Sequence, residues 1–143
     1  MIPGRPVSTG DRLMDNWLDL LQKNMPQVKL GSTTRDLTTA SGTQSITGIG
    51  FAPKIIFVTA AINGGAAGHS MGWSNGSVHA CHQVLGSSGF GTTAFCIYVT
   101  DDGTGASYQT ATVSSVNNDG FTLSWSKTGT PSNTATVNYL AMR

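Results

Sequence analysis

The sequence predicts an all-β protein: an antiparallel, jelly-roll-like β-sandwich preceded by an N-terminal arm and one short amphipathic helix. Only 10% of the 143 residues are charged, against about 25% in an average globular domain, and serine, threonine, glycine and asparagine fill the difference. Short runs of alternating apolar and polar residues, bounded by glycine, proline and asparagine, are typical of half-buried strands joined by tight turns. A helical pattern occurs once, near the start.

The N-terminal segment, residues 1–26, is predicted to be an arm followed by a helix. Its first ten residues include two prolines and two glycines, which favour an extended arm. From Asp11 to Asn24, apolar residues recur at spacings of three and four, and Pro26 should end the helix. A helix of about fourteen residues is marginal alone in water, so it needs either an edge of its own sandwich or a neighbouring subunit. The predicted partner-binding residues are Leu13, Met14, Trp17, Leu18 and Leu21.

Residues 27–143 are predicted to form the sandwich, with seven or eight strands. The most apolar run, Lys54–Ile62, is expected to be a central strand covered on both faces. Asn75-Gly76 predicts a hairpin with a type I′ turn. The glycine-rich segments 63–68 and 86–91 are expected to be loops, and a strand is expected over Thr93–Thr100.

The C-terminal third predicts a closing hairpin. Apolar and polar residues alternate over 121–126 and again over 136–141, and a polar turn at 128–133 separates the two runs. Period-two alternation is the pattern of a half-buried strand. We therefore expect these two strands to pair with each other and to place Trp125 and Tyr139 in the core.

Charge and hydropathy argue against several classes of protein. Eight basic and seven acidic residues give a net charge of +1, so there is no general electrostatic case for a nucleic-acid or membrane partner. No apolar run approaches membrane-spanning length, and no signal-peptide pattern follows Met1. We expect synthesis in a reducing cytosol, with Cys81 and Cys96 as buried thiols rather than a disulfide.

The sequence contains no pattern that predicts catalysis, a cofactor or a metal site. His79 and Cys81 share one face of a predicted strand and His82 lies on the other, so three ligands do not converge. Asp101-Asp102-Gly103 is better explained by turn geometry than by calcium binding. No nucleophile elbow or phosphate-binding loop occurs. Trp73, beside a turn, is the best candidate for an exposed aromatic side chain that stacks on a sugar ring.

Two stretches resemble small β-rich virion proteins of tailed bacteriophages. Gly48–Phe57 is similar to their opening, in which glycine, phenylalanine, any residue, proline and lysine precede an apolar strand. Asp119–Gly129 and Tyr139–Ala141 are similar to their closing hairpin. The resemblance covers roughly Thr43 to Arg143. Such modules occur in capsid decoration (cement) proteins, head fibres and tail tips.

The resemblance implies a non-enzymatic structural protein of the virion, assembled in the host cytoplasm. A short chain with a separate arm and helix favours a capsid decoration protein that binds the assembled shell and stabilises it. Its expected partners are the major capsid protein and sister copies in a homo-oligomer. The alternative is a tail-tip or fibre module that binds a surface glycan through Trp73.

Overall fold

A computed structural model describes residues 9–62, 68–85 and 88–143. The predicted arm lies outside the described residues up to position 8, and so does the predicted loop at 63–68 except for Gly68. The described residues form one helix and ten strands. The helix is α1 (Thr9–Asn24). The strands are β1 (Val28–Asp36), β2 (Gly42–Ile46), β3 (Ile55–Ile62), β4 (His69–Ser74), β5 (His79–Leu85), β6 (Ser88–Thr92), β7 (Ile97–Thr100), β8 (Tyr108–Asn117), β9 (Gly120–Thr128) and β10 (Thr134–Met142).

The strands form two antiparallel sheets that pack face to face, which confirms the predicted sandwich. The larger sheet has six strands in the order β1-β10-β3-β4-β5-β6, and the smaller has four in the order β2-β9-β8-β7. Buried apolar side chains from the inner faces of both sheets form one core. Within the described part of the chain, the buried core residues all lie between Leu37 and Ala141, and no described side chain of α1 is among them.

Of the two aromatic side chains that the sequence placed in the core, Trp125 lies within it and Tyr139 packs against it. Trp125 is buried, and its indole Nε1 donates a hydrogen bond to Gln44 Oε1 at 3.0 Å. Tyr139 is partly buried against the core, with its ring edge-on to Phe121 at 5.5 Å between centroids. Cys81 and Cys96 are both buried free thiols, as predicted.

The predicted closing hairpin is wrong. β9 pairs with β2 and β8 in the smaller sheet, whereas β10 pairs with β1 and β3 in the larger one. The segment between them crosses from sheet to sheet, with Gly129 at φ 66° and Asn133 at φ 67°. The last true hairpin is β8–β9, in which Asn117 pairs with Gly120.

The prediction for the central apolar strand is half right. β3 lies inside the six-stranded sheet between β10 and β4, but its burial alternates strictly along the strand. Ile56, Val58 and Ala60 face the core, whereas Phe57 on the outer face is 43% exposed. The unbroken apolar run therefore reflects an outer sheet face that is itself apolar, and not a second layer that covers it.

Three local predictions are corrected by the backbone. The glycine-rich segment at 86–91 contributes β6, because pairing with β5 outweighs the low strand propensity of glycine. The strand predicted over Thr93–Thr100 is formed only from Ile97 onward. The β4–β5 hairpin exists, but only Gly76 has positive φ, at 88°. A type I′ turn needs two such residues, and here the Asn75 Oδ1 accepts hydrogen bonds from the amides of Ser77 and Val78 instead.

Candidate protein-docking site

The apolar face of α1 is exposed. Trp17 is 64% exposed, and every described residue from Arg12 to Leu30 is exposed as well. The five predicted partner-binding residues, Leu13, Met14, Trp17, Leu18 and Leu21, all lie on this face together with Leu20. At about 100° of rotation per residue, these six side chains cover an arc of roughly 160°. So wide an apolar face suits packing on a surface or in a bundle better than the narrow seam of a two-stranded coiled coil.

The opposite side of α1 has the charges that keep the helix soluble and help it form. Lys23 Nζ lies 2.7 Å from Asp19 Oδ2, one helical turn apart. Near the C-terminus, the Asn24 side chain donates to Leu20 O at 2.8 Å and the Met25 amide donates to Leu21 O at 2.9 Å. An exposed ion pair such as Lys23–Asp19 stabilises a helix by only about 0.3–0.5 kcal/mol. Local interactions therefore explain where the helix ends but leave its apolar face without a partner among the described residues.

A second apolar surface lies on the outer face of the six-stranded sheet. Leu30, Leu140, Phe57 and Trp73 are direct register neighbours on β1, β10, β3 and β4. Val28, Met142 and Ile55 form a parallel row two residues away. We call these two rows the outer stripe. The outer stripe was not predicted from the sequence, although the unbroken apolar run of β3 is a signal of it.

Trp73 stands at the far end of the outer stripe, beside a shallow groove. The indole is half-buried on β4, and the groove has a volume of about 670 Å³. Phe57 and Met71 supply apolar walls, and His82 and Thr92 are among the few polar groups. The prediction that Trp73 binds a glycan stays a prediction.

The histidine and cysteine side chains near β5 do not come together in the described structure. Cys81 points into the core and His82 is exposed on the opposite face of β5. His79 Nδ1 is 2.8 Å from the hydroxyl of Ser74. Across the described ranges, no three His, Cys, Asp or Glu side chains come close enough to hold a metal ion.

The carboxylates in turns organise loops. Asp102 accepts hydrogen bonds from the Thr100 hydroxyl and from the amides of Thr104, Gly105 and Ser107. Desolvation opposes ionisation, but these four bonds outweigh it and hold the pKa of Asp102 well below its usual range. Every bond to this carboxylate comes from its own loop, which is the turn role that the sequence predicted.

A buried arginine closes one end of the sandwich. Arg35 Nε donates to Gln109 Oε1 at 3.0 Å, and the guanidinium lies 5.1 Å from the centroid of the Trp125 ring. Gln109 Nε2 in turn donates to the carbonyls of Leu37 and Thr39. Burial lowers the pKa of Arg35, while Asp36 opposes that shift. Each of these groups is satisfied within the chain, so the cluster is structural.

Comparison with protein-family models, curated proteins and solved structures gives no match for this chain. The described part of the chain also has no helix with the length and hydropathy needed to cross a membrane. The exposed face of α1 and the outer stripe are therefore the two described surfaces that best suit binding to another molecule.

Proposed function

We propose that this protein is a structural virion protein of a tailed bacteriophage, a capsid decoration protein that binds the assembled shell and stabilises it. One observation supports the proposal above all others. The sandwich completes its own core without α1, and α1 displays six large apolar side chains to solvent. A segment built in this way suits attachment to another protein chain. The viral setting comes from the resemblance of residues 43–143 to small β-rich phage proteins.

The proposed mechanism is linked binding. A protein that binds only the assembled shell stabilises that shell by an amount that grows with the logarithm of its concentration relative to its dissociation constant. Many copies multiply a modest contact, because each additional attachment raises the effective concentration of its neighbours. In this mechanism no bond is made or broken, and α1 attaches the sandwich to the major capsid protein or to a sister copy.

The test measures occupancy on capsids purified from particles whose genome encodes this chain. Deleting Met1–Asn24 should abolish binding, and Trp17→Ala should weaken it by about tenfold or more, since a buried interface tryptophan is often a hot spot. Gln22→Ala, on the polar side of α1, is the matched control and should bind normally. Unchanged occupancy in the deletion would reject the role of α1.

A second candidate function is a tail-tip or fibre module that binds a glycan. The groove beside Trp73 favours it, because a partly exposed indole flanked by a few polar groups suits stacking on a sugar ring. Glycan-array binding that disappears in Trp73→Ala but survives in Trp17→Ala would support this function. A null result at high protein concentration would count against it.

A further inference from the structure

The exposed face of α1 and the outer face of the six-stranded sheet together carry a large apolar area. Together with Met25, the exposed face of α1 contributes seven large hydrophobic side chains, and Val28, Leu30, Ile55, Phe57 and Met71 on the outer sheet face contribute five more. Twelve side chains of this size represent on the order of 1,000 Å² of apolar surface per chain. A specific protein interface buries about 800 Å² on each partner, and docking that uses both surfaces of each chain would bury an area of this size. The exposed apolar area of one chain is therefore large enough for a specific protein interface.

The two apolar surfaces also match each other in size. The outer stripe crosses four adjacent strands, from Leu30 on β1 to Trp73 on β4, which is about 14 Å at the usual strand spacing. Along α1, the distance from Leu13 to Leu21 is about 12 Å. The two rows of the stripe lie about 7 Å apart along the strands, so one helix of about 10 Å diameter covers both.

Charge distribution permits the contact. No residue of the outer stripe is charged. At about 100° per residue, Arg12, Asp15, Asp19 and Lys23 all lie on the side of α1 opposite its apolar face. Docking the apolar face on the stripe therefore leaves these charges in solvent and avoids the cost of burying an unpaired ion.

Within one chain the two surfaces remain apart. Only Met25, Pro26 and Gln27 separate α1 from β1, and α1 is exposed along its described length. The outer stripe is also uncovered, since Leu30 is 73% exposed. Each chain thus offers one apolar helix face and one apolar sheet face, which is the arrangement that reciprocal exchange between identical chains requires.

We propose that α1 of one copy docks on the outer stripe of a second copy. Each copy both donates its own α1 and accepts one from a neighbour, which gives a closed homo-oligomer. This deepens the proposed function by naming the partner of α1, and it rests on that function only in taking α1 as the attachment segment. Because the groove beside Trp73 is part of the same face, glycan binding there and helix docking exclude each other.

The test uses the full chain in solution, without capsids, and measures mass by analytical ultracentrifugation. Two variants each disable one surface: Leu18→Glu with Leu21→Glu on α1, and Leu30→Glu with Phe57→Glu on the stripe. Each should raise the dissociation constant by more than about tenfold, since each places two charges in an apolar contact. Gln22→Glu on the polar side of α1 and Thr34→Glu farther along β1 are the matched controls and should associate like the wild type.

Mixing the two disabled variants gives the decisive result. One retains an intact stripe and the other an intact α1, so the mixture should form a heteromeric complex that neither forms alone. A wild-type chain that stays monomeric at about 100 µM, an oligomer that survives both double substitutions, or a mixture that does not associate overturns the inference. Failure of the proposed function is distinguishable, because an intact oligomer that does not bind capsids rejects shell binding and leaves the exchange standing.

Discussion

At the scale of single residues, the fold depends on a few positions where only one type of residue fits. Gly72 is buried on β4, and a Cβ added there would lie 2.0 Å from the carbonyl oxygen of Cys96 and 2.5 Å from that of Ala80. Backbone cannot move aside as a flexible side chain can. Close contact between β4 and the start of β7 therefore requires glycine.

We predict that Gly72→Ala lowers the free energy of unfolding by about 2 kcal/mol or more, because overpacking against fixed backbone typically costs about 1–3 kcal/mol. Chemical denaturation followed by tryptophan fluorescence measures the change. Gly42→Ala is the control, since a Cβ there meets nothing within 4 Å. Equal effects at the two positions would contradict this explanation.

Asp119 gives a pH-dependent prediction at the same scale. Its carboxylate accepts hydrogen bonds from the amides of Gly48 and Gly50, both at 3.0 Å, and these bonds lower its pKa, opposed by desolvation. Because the pKa is lower in the folded state, the stabilisation is present above the ordinary Asp pKa of about 4 and is lost as the pH falls below it.

The stability gap between wild type and Asp119→Asn should therefore be largest above about pH 5 and should shrink toward pH 3. Thermal unfolding measured across this range tests the prediction. Asn118→Ser, a neighbouring change without a titrating group, should give a gap that does not depend on pH. A constant gap for Asp119→Asn would contradict the assigned role of the carboxylate.

At the scale of elements, the sequence predicted which face of a strand is buried better than it predicted which strands pair. Alternation placed Trp125 and Tyr139 in the core, because a period of two fixes which side of a strand is apolar. The same alternation cannot say which strand lies alongside, and β9 and β10 proved to belong to opposite sheets. The apolar face of α1 followed from its spacing, whereas the outer stripe arises from the register of four strands, and the unbroken apolar run of β3 is its one local signal.

The segment between β1 and β2 depends on Gln109 of β8. We predict that Gln109→Leu lowers the free energy of unfolding by about 2–4 kcal/mol, because the buried Arg35 Nε and the carbonyls of Leu37 and Thr39 lose their partner. Denaturant unfolding measures the loss. Lys127→Met removes an exposed hydrogen bond to Thr38 O in the same segment, and it should change stability by less than about 0.5 kcal/mol.

At the scale of the whole molecule, the chain divides into a sandwich with a complete core and a helix that adds nothing to it. Buried core residues come from both sheets, and among the residues that the structure describes none comes from before Leu37. The function of α1 should therefore be separable from the stability of the fold. That separation is what makes the deletion experiment on capsids interpretable.

We predict that a chain lacking Met1–Asn24 folds, with a free energy of unfolding within about 1 kcal/mol of the full-length protein, since surface changes remote from the core usually have small effects. Circular dichroism should retain the strand signal, and the denaturation midpoint should be almost unchanged at dilute concentration. A truncated chain that fails to unfold cooperatively would show that α1 is part of the fold.

The two cysteines have a practical consequence. Burial raises the pKa of both thiols, and that of Cys96 reaches about 12 with a contribution from the nearby Cys81. Nucleophilic attack requires the thiolate, and Cys96 is fully buried in the core, so alkylating reagents can modify its sulfur only when the native structure opens. The rate of cysteine alkylation therefore reports how often the native protein opens spontaneously, with no added probe.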